Sequence, residues 1–249
     1  MKVVQKPDWI CELRHCVFSA SAILIVFTAI ACNPETAKAA GAVLGPLVAS
    51  AKLDSLRWRD FRDVSGGAAK FYEGRGYAPA WVDGAGPTAQ AKVVVSILQK
   101  TAQKGLNPED YDASKWQARE EALARTPTPE EIARFDLALS VCLLRYVSAL
   151  DVGRINPRHL KFDLDLNHRK TDLPEFLAQI SQAADIARLL DEVEPQEDGY
   201  SRSSQALRTY LTLAQQDSSE KLPVPEKPVA RGGTYPGMVP AARFQAQGR

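Results

Sequence analysis

The sequence predicts a mainly α-helical fold with at most one or two short strands. Apolar residues recur at three- and four-residue steps along most of the chain, which is the period of an amphipathic helix. The two-residue alternation typical of strands is confined to residues 75–82 and 162–166. Hydrophobic residues make up 45% of the chain and charged residues 24%, so the composition is that of a globular protein.

The longest predicted helix, residues 128–153, is expected at the centre of the fold. Thr128, Pro129 and Glu131 form a capping box with proline at the first helical position, and Gly153 supplies a left-handed stop. Its apolar stripe is wider than one face of a surface helix: Ile132, Phe135, Leu137, Leu139, Cys142, Leu143, Leu144, Tyr146, Val147 and Leu150. Such a helix packs from several sides.

The segments before this helix are predicted to be shorter. Residues 53–64 are interpreted as a short amphipathic piece or turn, and a helix is expected over residues 65–74. Residues 75–82 look extended, with Tyr77, Pro79 and Trp81 on one side, before a turn at residues 83–86.

Two helices are predicted to meet at a tight corner after this turn. Thr88 caps the first, which closes at Gly105 and Leu106 in the Schellman manner. Asn107 and Pro108 open the second, which is expected to continue to residue 126.

Beyond the central helix, residues 162–166 are expected to form a strand only if the face that carries Asp163 and Asp165 is exposed to solvent. Helices are predicted over residues 174–190 and 200–214. Residues 215–233 are interpreted as a proline-rich linker, and residues 234–249 as a C-terminal stub too small for a core.

Residues 1–40 are interpreted as an export leader, because a positively charged segment precedes the uncharged run 17–31. Cys32 lies at the end of a lipobox-like segment and is a candidate for lipidation, which would attach the protein to a membrane. An ordinary signal-peptidase site after Ala39 and an uncleaved anchor are the alternatives. Residues 41–52 are interpreted as a spacer, and the protein is expected to be exported to the periplasm.

Six segments in order carry a resemblance to a known family: LRWRDF, FYEGRGYAPAWVD, KGLNPEDYD, FDLALSVCLLRYVSALDVGRINPRHLKFDLD, DLPEFL and VEPQEDGYSRSSQALRTYL. Together they resemble the N-terminal scaffold region of the large periplasmic L,D-transpeptidases over residues 53–214. The resemblance implies a helical scaffold followed by a peptidoglycan-binding domain and a catalytic domain. Residues 234–249 look like the start of that binding domain, so the chain is expected to be truncated before the catalytic domain.

The chemistry that this resemblance implies is acyl transfer by a Cys thiolate within a Ser-His-Gly-Cys-like segment. None of the four cysteines, Cys11, Cys16, Cys32 and Cys142, follows a glycine. No catalytic residue is therefore assigned, and the chain alone is expected to be inactive. Cys142 lies on the apolar stripe, where a thiol is more often an inert small hydrophobe than a nucleophile.

Several residues are weak candidates for contact with peptidoglycan. Arg154, Arg158 and Lys161 follow the central helix, where they either contact stem carboxylates or cap its carbonyl groups. Trp81, together with Trp58, Tyr77 and Trp116, either stacks on sugars or packs in the core.

The residue types suggest two other kinds of site. His159 and His168 with Asp163 and Asp165 match no metal-ligand spacing, so solvated loop residues are the better interpretation. A carboxylate pair for glycan cleavage could come from Glu73, Asp83, Asp110 and Asp112, although caps and turns already account for Asp83 and Asp110.

The predicted function is thus the non-catalytic scaffold portion of an exported L,D-transpeptidase in peptidoglycan cross-linking and cell-wall assembly. A free-standing peptidoglycan-binding or envelope adaptor protein is the first alternative, and a carboxylate-dependent wall hydrolase is the second. The expected partner is peptidoglycan or a cell-wall synthesis enzyme. No cofactor is predicted, and 31 basic against 30 acidic residues give no basic excess for nucleic acid.

Overall fold

The computed structural model describes residues 34–84, 86–125, 127–154 and 171–217. Within these ranges the chain is mainly α, as predicted, with eight α-helices and one two-stranded sheet. The helices are α1 Pro34–Ser50, α2 Ser65–Gly74, α3 Ala89–Gln99, α4 Trp116–Arg125, α5 Pro129–Asp151, α6 Leu173–Gln182, α7 Ile186–Val193 and α8 Asp198–Gln216. Strands β1 Val82–Asp83 and β2 Gly86–Pro87 pair antiparallel. The predicted leader run 17–31, strand 162–166 and stub 234–249 lie outside the described residues.

Helix α5 is the centre of the fold, as its sequence pattern predicted. The capping box is complete, with the Glu131 N–H donating to the Thr128 hydroxyl and the Glu131 carboxylate accepting from the Thr128 N–H. Gly153 is left-handed at φ +86°. Fifteen of the 23 residues are buried, because α1, α2, α3, α4, α6 and α7 all contact this helix.

The spacer interpretation of residues 41–52 is wrong, because most of this segment belongs to α1. Ala40, Leu44 and Val48 are buried at a spacing of four residues, and α1 packs along α5. Gly41 permits a close approach to the loop after α2: a Cβ atom there would lie 2.9 Å from the Tyr77 carbonyl oxygen. The small residues of α1 that suggested a spacer therefore make close packing feasible.

The segment 75–82 is less extended than predicted. Gly76 and Tyr77 are both left-handed, at φ +58° and +61°, so the chain turns directly after α2. The only described strand pairs in this region are the two residues of β1 with the two of β2.

The helix predicted from residue 107 to 126 is also interrupted. Asn107 caps a 3-10 helix, Pro108–Tyr111, and a second 3-10 turn, Ala113–Lys115, precedes α4. Between the two turns Asp112 is left-handed at φ +58°. Its buried carboxylate is held by basic groups and a backbone N–H, which offsets the conformational cost of this φ.

The predicted helix 174–190 is two helices, α6 and α7. The chain is extended at Ala183, and the Asp185 carboxylate then accepts the Arg188 N–H as the cap of α7. Helix α8 was predicted and is present. Lys104 forms an ion pair with Glu194, which also accepts a 3.0 Å hydrogen bond from the Tyr200 hydroxyl near the start of α8.

None of the described helices is both long enough and apolar enough to cross a bilayer.

Candidate functional site

An open groove of about 810 Å³ lies beside the C-terminal end of α5. One wall is the loop of residues 58–64, and another is the 3-10 helix Pro108–Tyr111. The third wall is α5 itself, from Arg145 to the residues just past its end, Gly153 and Arg154. The groove therefore includes Arg154, one of the basic residues that the sequence analysis named as a candidate contact for peptidoglycan.

The charged side chains of the groove are arranged as three ion pairs. These pairs are Arg62–Asp60 at 2.6 Å, Arg145–Asp63 at 2.8 Å and Arg154–Asp110 at 2.6 Å. Each carboxylate thus has a guanidinium partner. The charged part of the lining is formally neutral.

Arg145 connects the loop to the central helix. Its guanidinium donates to both Asp63 carboxylate oxygens, at 2.8 and 2.9 Å. It also donates to the backbone carbonyl oxygens of Trp58 at 3.2 Å and Asp60 at 2.7 Å. Since its side chain is only 13% exposed, Arg145 holds the loop in place from beneath.

The rim of the groove is more exposed. The side chain and backbone N–H of Arg62 donate to Asp60, and these hydrogen bonds lower the pKa of that carboxyl to about 2. The Arg154 side chain is 47% exposed, while its partner Asp110 is 12% exposed. Arg154 is therefore close enough to the solvent to reach a ligand.

Trp58 is the exposed aromatic residue of the groove. It is 53% exposed, and its indole N–H donates to the Asp110 carboxylate at 3.4 Å. The Arg57 guanidinium lies 5.7 Å from the centre of the ring. These contacts orient an indole that remains largely accessible.

Trp81, by contrast, is fully buried and does not face the groove, so its assignment as a peptidoglycan contact is wrong. Its indole N–H donates to the Ser140 hydroxyl at 2.8 Å, and its backbone N–H donates to Asp136 at 2.6 Å. The Tyr72 hydroxyl completes this network by donating to Asp136 at 2.7 Å. The network fixes the turn before β1 against α5.

Asp136 is a buried carboxyl that the sequence reasoning did not single out. Burial raises its pKa to about 6, although the N–H groups of Trp81 and Ala80 and the Tyr72 hydroxyl favour the charged form. An aspartate within the apolar run of a central helix was the available signal, because such a group must find hydrogen-bond partners.

The four carboxylates considered for glycan cleavage have different surroundings. Glu73 and Asp83 are exposed on α2 and β1, and Asp110 is paired in the groove. Asp112 is buried: it accepts the Arg57 N–H at 2.8 Å and pairs with Arg119 at 2.5 Å. Its oxygens are occupied by structural contacts, which leaves it poorly suited to proton transfer with a substrate.

Cys142 lies in the core on the apolar stripe of α5. The side chain is buried, and burial raises the pKa of the thiol to about 12. A nucleophilic cysteine needs the opposite shift, toward the thiolate at neutral pH.

The remaining candidates lie outside the described residues: Cys32, Arg158, Lys161, His159, His168, Asp163 and Asp165. In the described part of the chain, no cluster of three or more His, Cys, Asp or Glu could hold a metal ion.

Sequence comparison identifies one family in this chain. The family profile described as "Scaffold domain" matches residues 67–207. This range covers α2 to the first half of α8, and therefore most of the helical core. No curated protein and no solved structure gave a match.

Proposed function

The chain belongs to the Scaffold domain family, and we propose that it is the non-catalytic scaffold portion of an exported L,D-transpeptidase that cross-links peptidoglycan. The family match over residues 67–207, which coincides with the helical core around α5, supports a scaffold domain. The proposed link to L,D-transpeptidases rests on the sequence segments that resemble that family. The six segments that resemble the scaffold region of the large L,D-transpeptidases fall largely within the same range.

The state of the cysteines supports a non-catalytic role. The family's chemistry needs a thiolate beside a base, whereas burial raises the pKa of Cys142 to about 12. The other three cysteines precede residue 33, and none of the four follows a glycine. We therefore infer that this chain positions an enzyme or its substrate, and that the catalytic residues are supplied from elsewhere.

The position of α1 argues against cleavage after Ala39, which is one of the alternatives to lipidation at Cys32. Cleavage after Ala39 would place a charged amino terminus on Ala40, which is fully buried, and burying an unpaired ammonium group is costly. Cleavage before Cys32 would leave α1 intact from Pro34 to Ser50. The proposed location is the periplasmic side of a membrane, with Cys32 carrying the lipid.

A second candidate function is a free-standing envelope adaptor that binds peptidoglycan by itself. The observation that favours it is the groove beside α5, where Trp58 and Arg154 are accessible to a ligand. Retention of the purified chain on isolated sacculi, together with unchanged L,D-cross-linking in a strain that lacks it, would favour the adaptor.

The proposed function is tested by deleting the gene and measuring the fraction of L,D-cross-linked muropeptides by liquid chromatography and mass spectrometry. We expect this fraction to fall and to be restored by the wild-type chain. Leu213→Ala, on the exposed face of α8, should also restore it, whereas Leu143→Ala, in the core of α5, should not. An unchanged fraction in the deletion strain would contradict the scaffold role.

The absence of catalysis is tested separately with the purified chain and tetrapeptide stems. We expect no cross-linked product, because the Cys142 thiol stays protonated and inaccessible. Formation of a cross-link by the chain alone would show that the non-catalytic assignment is wrong.

A further inference from the structure

The exposure of Trp58 distinguishes it from the other described tryptophans. Trp81 and Trp116 are fully buried, and each indole N–H has an internal acceptor, Ser140 for Trp81 and the Tyr111 carbonyl for Trp116. Trp58 leaves 53% of its surface in contact with solvent although it lines a groove. Because Trp58 lies in a groove, the exposed part of its ring is available to a ligand.

Contacts within the protein also restrict the Trp58 side chain. Its indole N–H donates to Asp110, and Arg145 donates to its backbone carbonyl oxygen. The Arg57 guanidinium lies near the ring. A ligand that stacks on this ring would therefore meet little cost of ordering the side chain, and preorganisation of this kind favours binding.

The charges around the ring indicate which chemical class fits. Among the described residues that line the groove, three guanidinium groups are matched by three carboxylates, and the Arg57 guanidinium beside the ring adds one positive charge, so this surface offers little net attraction to a polyanion or a polycation. It does offer donors and acceptors side by side, such as Arg154 next to Asp110. A hydroxyl group both donates and accepts hydrogen bonds, so a neutral ligand rich in hydroxyls can use both kinds of partner.

The groove also has an apolar part. Val64 and Tyr111 are almost fully buried at its base, and Ala149 on α5 is partly exposed there. A pyranose ring presents C–H bonds on its face, which pack on an indole, and an acetamido substituent adds a methyl group that an apolar base can accept. Small polar ligands usually need this combination of apolar surface and a few placed polar groups.

We propose that the groove lined by Trp58, Asp110 and Arg154 binds an uncharged stretch of glycan made of N-acetylated amino sugars, with Trp58 as the stacking surface. The inference rests on the proposed function for the source of the glycan, which is the sugar backbone of peptidoglycan. It adds to that function a specific ligand class and the residues that contact it.

The test is a titration of the full chain with chitotetraose, an uncharged N-acetylglucosamine oligomer, followed by calorimetry and by acrylamide quenching of tryptophan fluorescence. Trp9 lies outside the described residues and is replaced in all samples by Trp9→Phe. Because Trp81 and Trp116 are buried, quenching then reports mainly on Trp58. We expect the sugar to bind and to protect this residue from acrylamide.

Three variants make the test specific. Trp58→Ala should weaken binding at least about tenfold, whereas Trp58→Tyr keeps a stacking ring and should retain most of the affinity. Tyr210→Ala removes another exposed aromatic side chain, 71% exposed on α8, and should leave the affinity unchanged. Circular dichroism of each variant checks that its fold is intact.

Binding of chitotetraose that is equally tight in Trp58→Ala, or no binding at millimolar sugar, would overturn the proposal. Displacement of the sugar from Trp58 by an anionic stem peptide that binds more tightly would also overturn it, because the groove would then select charge. These outcomes are independent of the muropeptide analysis. If the chain supports cross-linking but does not bind the sugar, only this inference is wrong. If the chain binds the sugar but its deletion leaves cross-linking unchanged, only the proposed function is wrong.

Discussion

Helices α5 and α8 are similar in length, with 23 and 19 residues, yet they are packed in opposite ways. Fifteen residues of α5 are buried, whereas no residue of α8 is. Six of the other described helices contact α5. Helix α8 lies mainly against the 3-10 turn Thr101–Lys104, and a Cβ atom at the following Gly105 would lie 3.4 Å from the Leu207 side chain. Helical periodicity predicted both helices, but it did not predict how much of each would be covered.

The difference also separates two sources of helix stability. Helix α5 has its own capping box, but most of its stabilisation comes from burying apolar surface on every side. Helix α8 leaves Tyr210 and Leu213 exposed and is held near its start by the hydrogen bond from Tyr200 to Glu194. Substitutions in α5 should therefore affect the free energy of unfolding far more than equivalent substitutions in α8.

The largest expected effect is from a matched pair of leucine truncations. Leu143→Ala in α5 removes a fully buried side chain and should lower the free energy of unfolding by about 2–5 kcal/mol. Leu213→Ala in α8 removes a side chain that is 52% exposed and should change it by less than about 0.5 kcal/mol. Urea denaturation of both variants measures the difference. Equal losses in the two variants would show that α8 is covered in solution.

The second prediction concerns pH and the buried carboxyl of α5. The pKa of Asp136 is raised from 3.8 to about 6, so folding favours its protonated form. This contribution is complete below about pH 3.8 and is lost as the pH rises through about 6, which amounts to about 3 kcal/mol.

The measurement for Asp136 is the free energy of unfolding from about pH 4 to about pH 7, for the wild type and for Asp136→Asn. The wild type should lose stability relative to Asp136→Asn as the pH rises, since the amide does not titrate. Subtracting the two curves removes the contributions of the other carboxyl groups. A difference that is constant over this range would contradict the raised pKa.

The smallest effect is expected at an exposed helix cap. Thr128→Ala removes the side-chain acceptor for the Glu131 N–H and should cost about 1 kcal/mol. The control is Thr212→Ala in α8, where the hydroxyl donates to the Arg208 carbonyl within the helix and contributes little. Thermal unfolding of the two variants compares them. A Thr212→Ala variant as unstable as Thr128→Ala would indicate that α8 needs its polar contacts more than α5 needs its cap.

Much of the helical architecture could be predicted because its signals are local. The capping box at Thr128, the stop at Gly153 and the cap at Thr88 each involve residues within one turn of the helix that they delimit. The errors occurred where a distant group decided the local conformation. Asp112 breaks the expected helix to meet the backbone of Arg57, 55 residues earlier.

The candidate site was predicted only in part, for the same reason. Arg154 was singled out because it follows the end of a helix, which is a local feature. Its pairing with Asp110, and that of Arg145 with Asp63, joins segments that are far apart in sequence. Trp58 and Trp81 looked alike as candidate stacking residues, and only the packing of the loop against α5 placed one in solvent and the other in the core.

The sequence by itself determined that this protein is mainly helical, where its central helix begins and ends, and that Cys142 lies on an apolar face. These properties depend on periodicity and capping, which act over a few residues. Only the tertiary structure decided that α1 is part of the core, that Asp136 joins a buried network and that Trp58 faces a groove. These depend on contacts between distant segments, where burial, hydrogen bonding and charge pairing act together.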